Sequence, residues 1–301
     1  MSQERAAAEA PPDALAPHRA LLTWAPPSLR AVVTYHVGGD GPRTLVAGPG
    51  QDSRVVWDAP THGRLRLVGG RNWVITGGEV RNDVPWPDLD DRAALQFEQV
   101  EGTAFVEGLL VDGPYGTDGI RLGPGSSGTT LVVQDSRILN RRTQGQAGYH
   151  ADVIQAYGGV RALHVDRLTA TTDFQGQMFK QELGTRFGPS DLRRVDYTGL
   201  APQQAYLVNL VMSRPTGSVW LREVWTTPAA GFVHGDFCRA LSPAEGSRCR
   251  VTAGGRHAVT WLGTPIRVIG EVRQGPPPGG EWVPAGVAGL GYRSPGYGAT
   301  P

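Results

Sequence analysis

Several features that would assign this chain to a common class of protein are missing from its 301 residues. No stretch approaches the roughly 18 consecutive apolar residues of a transmembrane helix, which excludes a helical membrane span. Lys and Arg number 29 against 28 Asp and Glu, and no polybasic run occurs. The charge pattern therefore predicts neither a nucleic-acid partner nor an anionic membrane partner.

Cysteine is scarce as well. Cys238 and Cys249 enclose the short loop FCRALSPAEGSRC, so a disulfide is geometrically easy and would suit an exported protein, with two reduced thiols as the alternative. Residues 1–17 are rich in Ala, Pro and Glu and lack the apolar core of a signal peptide. We interpret them as a disordered leader, and we expect an extracellular (secreted) protein, with a cytoplasmic location as the alternative.

Helical periodicity is also missing, whereas glycine and proline are abundant. The 42 Gly and 24 Pro residues make up about a fifth of the chain, without the strict period of collagen, which favours a turn-rich all-β protein. No stretch of 10–15 residues repeats its apolar side chains every 3.6 positions, as a helix between strands would require.

Six short segments share one pattern, in which an alternating apolar run is followed by a polar or Gly corner and a second apolar pair. They are NWVITGGEV (72–80), TAFVEGLLV (103–111), LVVQDSRIL (131–139), LHVDRLTAT (163–171), LRRVDYTGL (192–200) and VWLREVWTT (219–227). We take six apolar positions in these segments as equivalent: Ile75, Val106, Val133, Val165, Val195 and Leu221. They are separated by 31, 27, 32, 30 and 26 residues. A period of this length predicts a repeat architecture.

A second set of strands precedes these segments: LRLVGG (65–70), ALQFEQ (94–99), DGIRLG (118–123), DVIQAY (152–157), GQMFKQ (176–181), AYLVNL (205–210) and AGFVHG (230–235). Coils built from short strands with short connections predict an all-β, single-domain right-handed parallel β-helix, a solenoid of about seven coils. The domain would span residues 18–301, with an N-terminal cap at 18–60, coils at 61–250 and a C-terminal cap at 251–301.

The second strand set predicts a polar row outside the solenoid. Because side chains alternate along a strand, Ile120 and Ile154 should face inward, so that Arg121 and Gln155 face outward. Lysine is costly inside, which places Lys180 on the outer row, together with Met178 unless the register slips by one. The predicted exposed ladder is Arg121, Gln155, Lys180, Asn209 and His234. Further candidates at the strand entrances are Asp118, Tyr149, His150, Asp152, Asp173 and Gln175.

Polar groups that recur at about 4.8 Å along a groove suit an extended acidic sugar polymer. In β-elimination from a uronate, Arg121 could neutralise the carboxylate while Lys180 or His150 removes the C5 proton. Hydrolysis would instead use two carboxylates, for which Asp118 and Asp152 are candidates. A purely structural interpretation is that these two residues bond turn amides.

Stretches spread over nearly the whole chain resemble uncharacterised bacterial right-handed parallel β-helix proteins of the pectate-lyase-like superfamily. The resemblance lies in HADVIQAYGGVRALHVDRLTATTDFQGQMF (150–179), LTWAPPSL (22–29), LVGGRNWVITGGE (67–79) and GLGYRSPGY (289–297). It implies the fold and no established activity, since the paired-Asp hydrolase motif and the R-I-K and Asp/Arg signatures of pectate lyases are missing from the sequence.

We therefore predict a carbohydrate-active protein that binds a polysaccharide or oligosaccharide, as a polysaccharide lyase. The alternatives are a non-catalytic glycan-binding or surface-structural β-helix and a glycoside hydrolase. The catalytic candidates are His150, Asp152, Lys180 and Arg121. The binding candidates are Asp118, Tyr149, Gln155, Gln175, Asn209 and His234. We predict no metal site and no cofactor, and calcium is not indicated, because His150 and Asp152 have no third ligand at diagnostic spacing.

Overall fold

The structure is a computed structural model that describes residues 22–41, 43–83, 93–113, 115, 118–139, 151–178, 187–200, 207–209, 217–231, 237–240, 247–261 and 267–296. Its elements in chain order are β1 (Val33–Asp40), β2 (Arg43–Ala47), β3 (Asp52–His62), β4 (Leu65–Gly69), β5 (Asn72–Thr76), β6 (Glu79–Arg81), β7 (Ala93–Glu98), β8 (Thr103–Glu107), β9 (Leu110–Asp112), β10 (Asp118–Leu122), β11 (Thr130–Leu139), β12 (Asp152–Gln155), β13 (Ala162–Thr172), β14 (Gln175–Met178), β15 (Ser190–Gly199), β16 (Val208–Asn209), β17 (Val219–Thr227), α1 (Phe237–Ala240), β18 (Ser247–Val251), β19 (His257–Trp261) and β20 (Val268–Gln274).

Two long sheets contain these strands. The seven-stranded sheet is parallel throughout, in the order β16-β14-β12-β10-β7-β4-β2. The thirteen-stranded sheet follows the order β18-β19-β20-β17-β15-β13-β11-β8-β5-β3-β6-β9, with β1 also paired to β3. Its antiparallel pairs are β18–β19 and β19–β20. The chain is thus all-β with mostly parallel strands in a long sheet, an arrangement compatible with a parallel β-helix.

The chain alternates between the two sheets, as the two sets of repeated segments predict. Strands β4, β7, β10, β12, β14 and β16 belong to the seven-stranded sheet, and each is followed by a strand of the larger sheet. One buried apolar cluster, which runs from Val37 to Val272, is formed by inward side chains of both sheets. The predicted strand at 230–235 lies largely outside the described residues.

The predicted equivalence of apolar positions is correct for the first four positions and wrong at one later position. Ile75 pairs with Val106, which continues through Val133 to Val165. The next partner is Leu192, not Val195, and Leu192 then pairs with Leu221. The steps after Val165 are therefore 27 and 29 residues. Val195 instead pairs with Leu168.

A bend within the strands explains this error. Strands β11, β13, β15 and β17 each pass through one residue with a left-handed backbone, and the residues that flank it are in register from strand to strand. The four bend residues are Asp135, Arg167, Arg194 and Glu223, with φ of 50°, 51°, 49° and 56°. Because the strand turns at Arg194, Leu192 and Val195 lie on opposite sides of the bend and both face the core.

Two terminal segments cross the outer face of the thirteen-stranded sheet. In the first, residues 22–30 (the N-terminal strap), Trp24 is bonded through its backbone N–H and C=O to the Gln134 side chain, at 3.0 and 2.9 Å. Apolar contacts beneath this strap join Leu22, Trp24 and Leu29 to Val74, Phe105 and Val132. The strap thus seals an apolar outer surface that would otherwise contact water.

The second segment, residues 281–294 (the C-terminal strap), runs across the neighbouring half of the same strands. The backbone N–H of Trp282 donates to Asp196 at 3.1 Å, and that of Val283 to Thr169 at 2.9 Å. Farther along, Gly289 N–H donates to the carbonyl of Gly108 at 2.8 Å. The regions expected as caps, 18–60 and 251–301, thus contribute strands β1–β3, β19 and β20 and these two straps.

Buried ions connect the straps at the bend. The Arg167 guanidinium, 4% exposed, is bonded to Asp135 and lies 3.3 Å from Asp166. Thr23 of the N-terminal strap bonds Asp166, which is also paired with Arg194. A shared network of buried charges therefore includes the N-terminal strap.

The C-terminal strap joins the same network through Tyr292. Its hydroxyl donates to Glu107 at 2.6 Å and to Asp135 at 3.2 Å. Ser294 also donates to Glu107, at 3.0 Å. Burial raises the pKa of Glu107, although these two hydroxyl groups act in the opposite direction.

A disulfide joins Cys238 of α1 to Cys249 of β18, with 5.8 Å between their Cα atoms. The disulfide interpretation is therefore the one observed. Among the described residues, no helix is long and apolar enough to cross a membrane.

Candidate functional site

The outer face of the seven-stranded sheet contains the candidate site. In β12 the two central residues, Val153 and Ile154, both belong to the core cluster. Asp152 before them and Gln155 after them contact each other, with Gln155 Nε2 donating to Asp152 Oδ2 at 2.9 Å, and both side chains are buried. An inward pair in place of strict alternation brings the strand-entrance residues beside the outer row.

The register aligns three residues of the predicted row with Met178. Arg121 pairs with Gln155, Gln155 with Met178, and Met178 with Asn209. Met178 was expected in this row together with Lys180, which lies outside the described residues. The inward neighbour of Met178 is Gln177, which pairs with Ile154, so the register does not slip by one.

The row is less exposed than predicted. Gln155 and Met178 are only 6% and 7% exposed, and Arg121 is half-buried. An exposed ladder is therefore wrong for Gln155. Packing of neighbouring polar side chains against each other accounts for part of this burial.

Asp118 and Asp152 link the neighbouring strands β10 and β12. Asp118 Oδ1 accepts a hydrogen bond from the backbone N–H of Asp152 at 3.0 Å. Both carboxyl groups are nearly inaccessible, at 3% and 1% exposure. The structural role considered for them, bonding to backbone amides, is thus observed for Asp118. Gln175 pairs with Asp152 in the register and is also buried.

A second group of polar side chains lies on β4 and β7 of the same sheet, earlier in the chain than Asp118 and Asp152. Arg66 is paired with Glu98 through both Nε and Nη2, with Nε to Oε1 at 3.0 Å. Gln96, which pairs in register with both Arg66 and Arg121, also donates to Glu98. The hydrogen bonds that Arg66 donates to Glu98 raise the pKa of Arg66. These charges therefore neutralise each other within the sheet.

Arg121 differs from Arg66. Its guanidinium carbon lies 5.2 Å from the centre of the Tyr157 ring, a cation–π contact. Within the described part of the chain, the Arg121 guanidinium has no carboxylate partner, and its buried Nε has no hydrogen-bond acceptor. A half-buried arginine without a counter-ion is the distinctive chemical feature of this face.

Several predicted site residues lie outside the described residues: Tyr149, His150, Lys180 and His234. For Asn209 only the backbone position is described. In the described ranges, no group of three or more His, Cys, Asp or Glu residues could hold a metal ion.

The sequence argument missed Tyr157, Glu98, Gln96 and Arg66. A signal for Tyr157 was present, because it follows Gln155 by two residues and strand alternation would have placed both on the same side. The Arg66–Glu98 pair joins residues 32 apart and becomes visible only once β4 and β7 are known to be neighbours. Comparisons with protein-family models, with curated proteins and with solved structures find no match for this chain.

Proposed function

We propose that the chain is a right-handed parallel β-helix of about seven coils that binds an acidic polysaccharide on the outer face of its seven-stranded sheet and cleaves it by β-elimination. The observation that carries the proposal is Arg121, a half-buried guanidinium with no carboxylate partner among the described residues. A bound uronate would supply that missing anion.

Desolvation of the Arg121 guanidinium is the physical basis of the proposal. Partial burial of a cation is unfavourable unless an anion or hydrogen-bond acceptors replace water. The Tyr157 ring compensates for part of this loss but offers no acceptor for Nε. The planar guanidinium matches a carboxylate with two parallel hydrogen bonds. Gln155 beside it offers an amide that could bind sugar hydroxyl groups.

The proposed reaction removes a proton and a leaving group from one uronate residue. A base takes the C5 proton, the C5–H electron pair forms the C4=C5 double bond, and the C4–O bond breaks while its oxygen is protonated. Arg121 would stabilise the negative charge that develops on the carboxylate. On the sequence argument His150 or Lys180 is the base. No resident cofactor is proposed, and calcium enters as a variable of the assay.

Non-catalytic glycan binding is the second candidate. It is favoured because Glu98 and Asp152 are held by neighbouring side chains, and Asp118 is held by a backbone amide. The same observation weakens the hydrolase alternative, in which Asp118 and Asp152 would have to serve as acid and base. A disulfide and a polysaccharide ligand both fit the proposal that the protein is extracellular.

The test measures ultraviolet absorbance of an unsaturated product with pectate, alginate, hyaluronan and chondroitin, each with and without calcium. Arg121→Ala should lower turnover by about a hundredfold or more, as expected for loss of a group that stabilises developing charge. Arg121→Lys should restore only part of it, because lysine lacks the planar fork.

The matched control is Arg161→Ala, an exposed arginine beside Thr130 on the other sheet. It should leave turnover unchanged. No product from any polymer would refute the lyase function, and saturable binding without product would support the second candidate. Equal binding by the wild type and Arg121→Ala would remove Arg121 from the site.

A further inference from the structure

The outer face of the thirteen-stranded sheet changes character at its C-terminal end. Four exposed arginines, which we call the arginine strip, lie there: Arg248, Arg250, Arg256 and Arg273. Across residues 247–261 and 267–274 the acidic residue is Glu271 alone. With the exposed Arg267, which precedes β20, these ranges hold five arginines and one acidic residue, a concentrated positive patch on a chain whose overall charge is only +1.

The strand pairing brings these residues together although they are spread along the sequence. Arg250 pairs with Ala258, which pairs with Arg273, which in turn pairs with Trp225. Cys249, between them, pairs with Val259 of the core cluster, so alternation leaves Arg248 and Arg250 together on the opposite face of β18.

Contacts hold the strip in position. Glu271 accepts from Arg250 at 2.6 Å and from Arg273 at 2.7 Å. The guanidinium groups of Arg273 and Arg256 lie 5.5 and 5.8 Å from the centre of the Trp225 ring. Even so, Arg250 and Arg273 remain 56% and 47% exposed. The arginines are therefore oriented and accessible at the same time.

We propose that the arginine strip binds an acidic polysaccharide, as a docking surface separate from the Arg121 site. Arg250 and Arg273 lie two strand spacings apart, with β19 between them. Guanidinium groups grouped on one face in this way match a linear polymer with recurring carboxylates or sulfates. Trp225 is 7% exposed, so it can neither stack on nucleic-acid bases nor insert into a bilayer. The choice of polysaccharide as the occupant rests on the proposed function.

The experiment measures binding of the purified protein to immobilised polygalacturonate and chondroitin sulfate over a range of salt concentrations. Arg250→Ala combined with Arg273→Ala should weaken binding about tenfold or more at low salt and flatten its dependence on salt, because fewer counterions are released. Glu271→Gln should strengthen binding, since it removes the only anion of the strip and releases two arginines from it.

The matched control removes the same net charge outside the strip, from the N-terminal strap and from β2 of the seven-stranded sheet. Arg30→Ala combined with Arg43→Ala removes two exposed arginines and should leave binding unchanged. If this control weakens binding as much as the strip variant does, the strip is refuted in favour of a general charge effect. Tighter binding to phosphatidylglycerol vesicles or to single-stranded DNA than to either polymer would also refute it.

Failure of the strip and failure of the proposed function give different results. If Arg121→Ala abolishes product while the strip variant binds polymer like the wild type, the strip is refuted and the lyase function stands. If the strip variants alter binding while no polymer yields product, the docking surface stands and the lyase function fails. Thermal unfolding of every variant checks that the fold is intact.

Discussion

The thirteen-stranded sheet uses arginine–carboxylate pairs in two different ways. At the bend, Arg167 is 4% exposed and lies between Asp135 and Asp166 beneath the two straps. At the C-terminal end, Arg250 is 56% exposed and shares Glu271 with Arg273. The first arrangement is enclosed and nearly balanced in charge, whereas the second is open and has excess positive charge. The same pair of residue types therefore supports the fold in one region and offers a binding surface in the other.

The largest expected effect comes from removing one arginine from each region and comparing the loss of stability. Arg167→Met should lower the free energy of unfolding by about 3–5 kcal/mol, because it leaves buried carboxylates without their partner. Arg250→Met should change it by less than about 1 kcal/mol, since exposed ion pairs contribute little. Urea denaturation of both variants measures the difference. Equal losses would mean that burial does not separate the two regions.

Asp196 offers an intermediate case, a buried carboxyl beneath the C-terminal strap that is bonded by Thr169 and the Trp282 amide. Burial raises its pKa from 3.8 to about 6. Because the folded state binds the proton more tightly, the stabilisation from this group is complete below the unfolded pKa and is lost as pH rises through about 6.

Asp196→Asn should remove that pH dependence and leave the variant more stable than the wild type at neutral pH. A shift of about two pKa units corresponds to roughly 3 kcal/mol between neutral pH and pH about 4. Urea denaturation of both proteins across that range gives the measurement. Parallel stability curves for the two proteins would contradict the raised pKa.

Tyr292, which is half-buried, and Tyr197, which is fully buried, give the smallest expected difference in stability. The Tyr292 hydroxyl bonds Glu107 and Asp135, whereas the Tyr197 hydroxyl lies in the core with no hydrogen-bond partner in the described part of the chain. Tyr292→Phe should cost about 1–3 kcal/mol, and Tyr197→Phe should be neutral or slightly stabilising. Thermal unfolding of the pair is sufficient, and a larger loss at Tyr197 would reverse the assignment.

The alternation of apolar residues was enough to predict the two sets of strands and the pairing of Arg121 with Gln155. It could not distinguish Leu192 from Val195, because both face the core on either side of the left-handed Arg194. It also left the register of the strand at 176–181 open by one residue, which the pairing of Gln177 with Ile154 decides.

The charged groups were harder to predict for a different reason. The arginine strip collects residues from β18, β20 and the turn before β19, so no run of basic residues marks it in the sequence. The burial of Gln155 likewise depends on packing around the sheet and not on the pattern within one strand. Composition and periodicity report local alternation, whereas these features depend on which distant segments become neighbours.

The two straps also affect how cooperatively the protein unfolds. In a simple stack each coil touches only its neighbours, so unravelling can begin at an end and proceed one coil at a time. Here the C-terminal strap contacts Asp196 on β15, Thr169 on β13 and Gly108 beyond β8, and the N-terminal strap runs alongside it. Because each strap bonds to several strands, the terminal strands cannot unfold separately. The sheet should therefore unfold cooperatively and resist mechanical force and proteolysis as one unit.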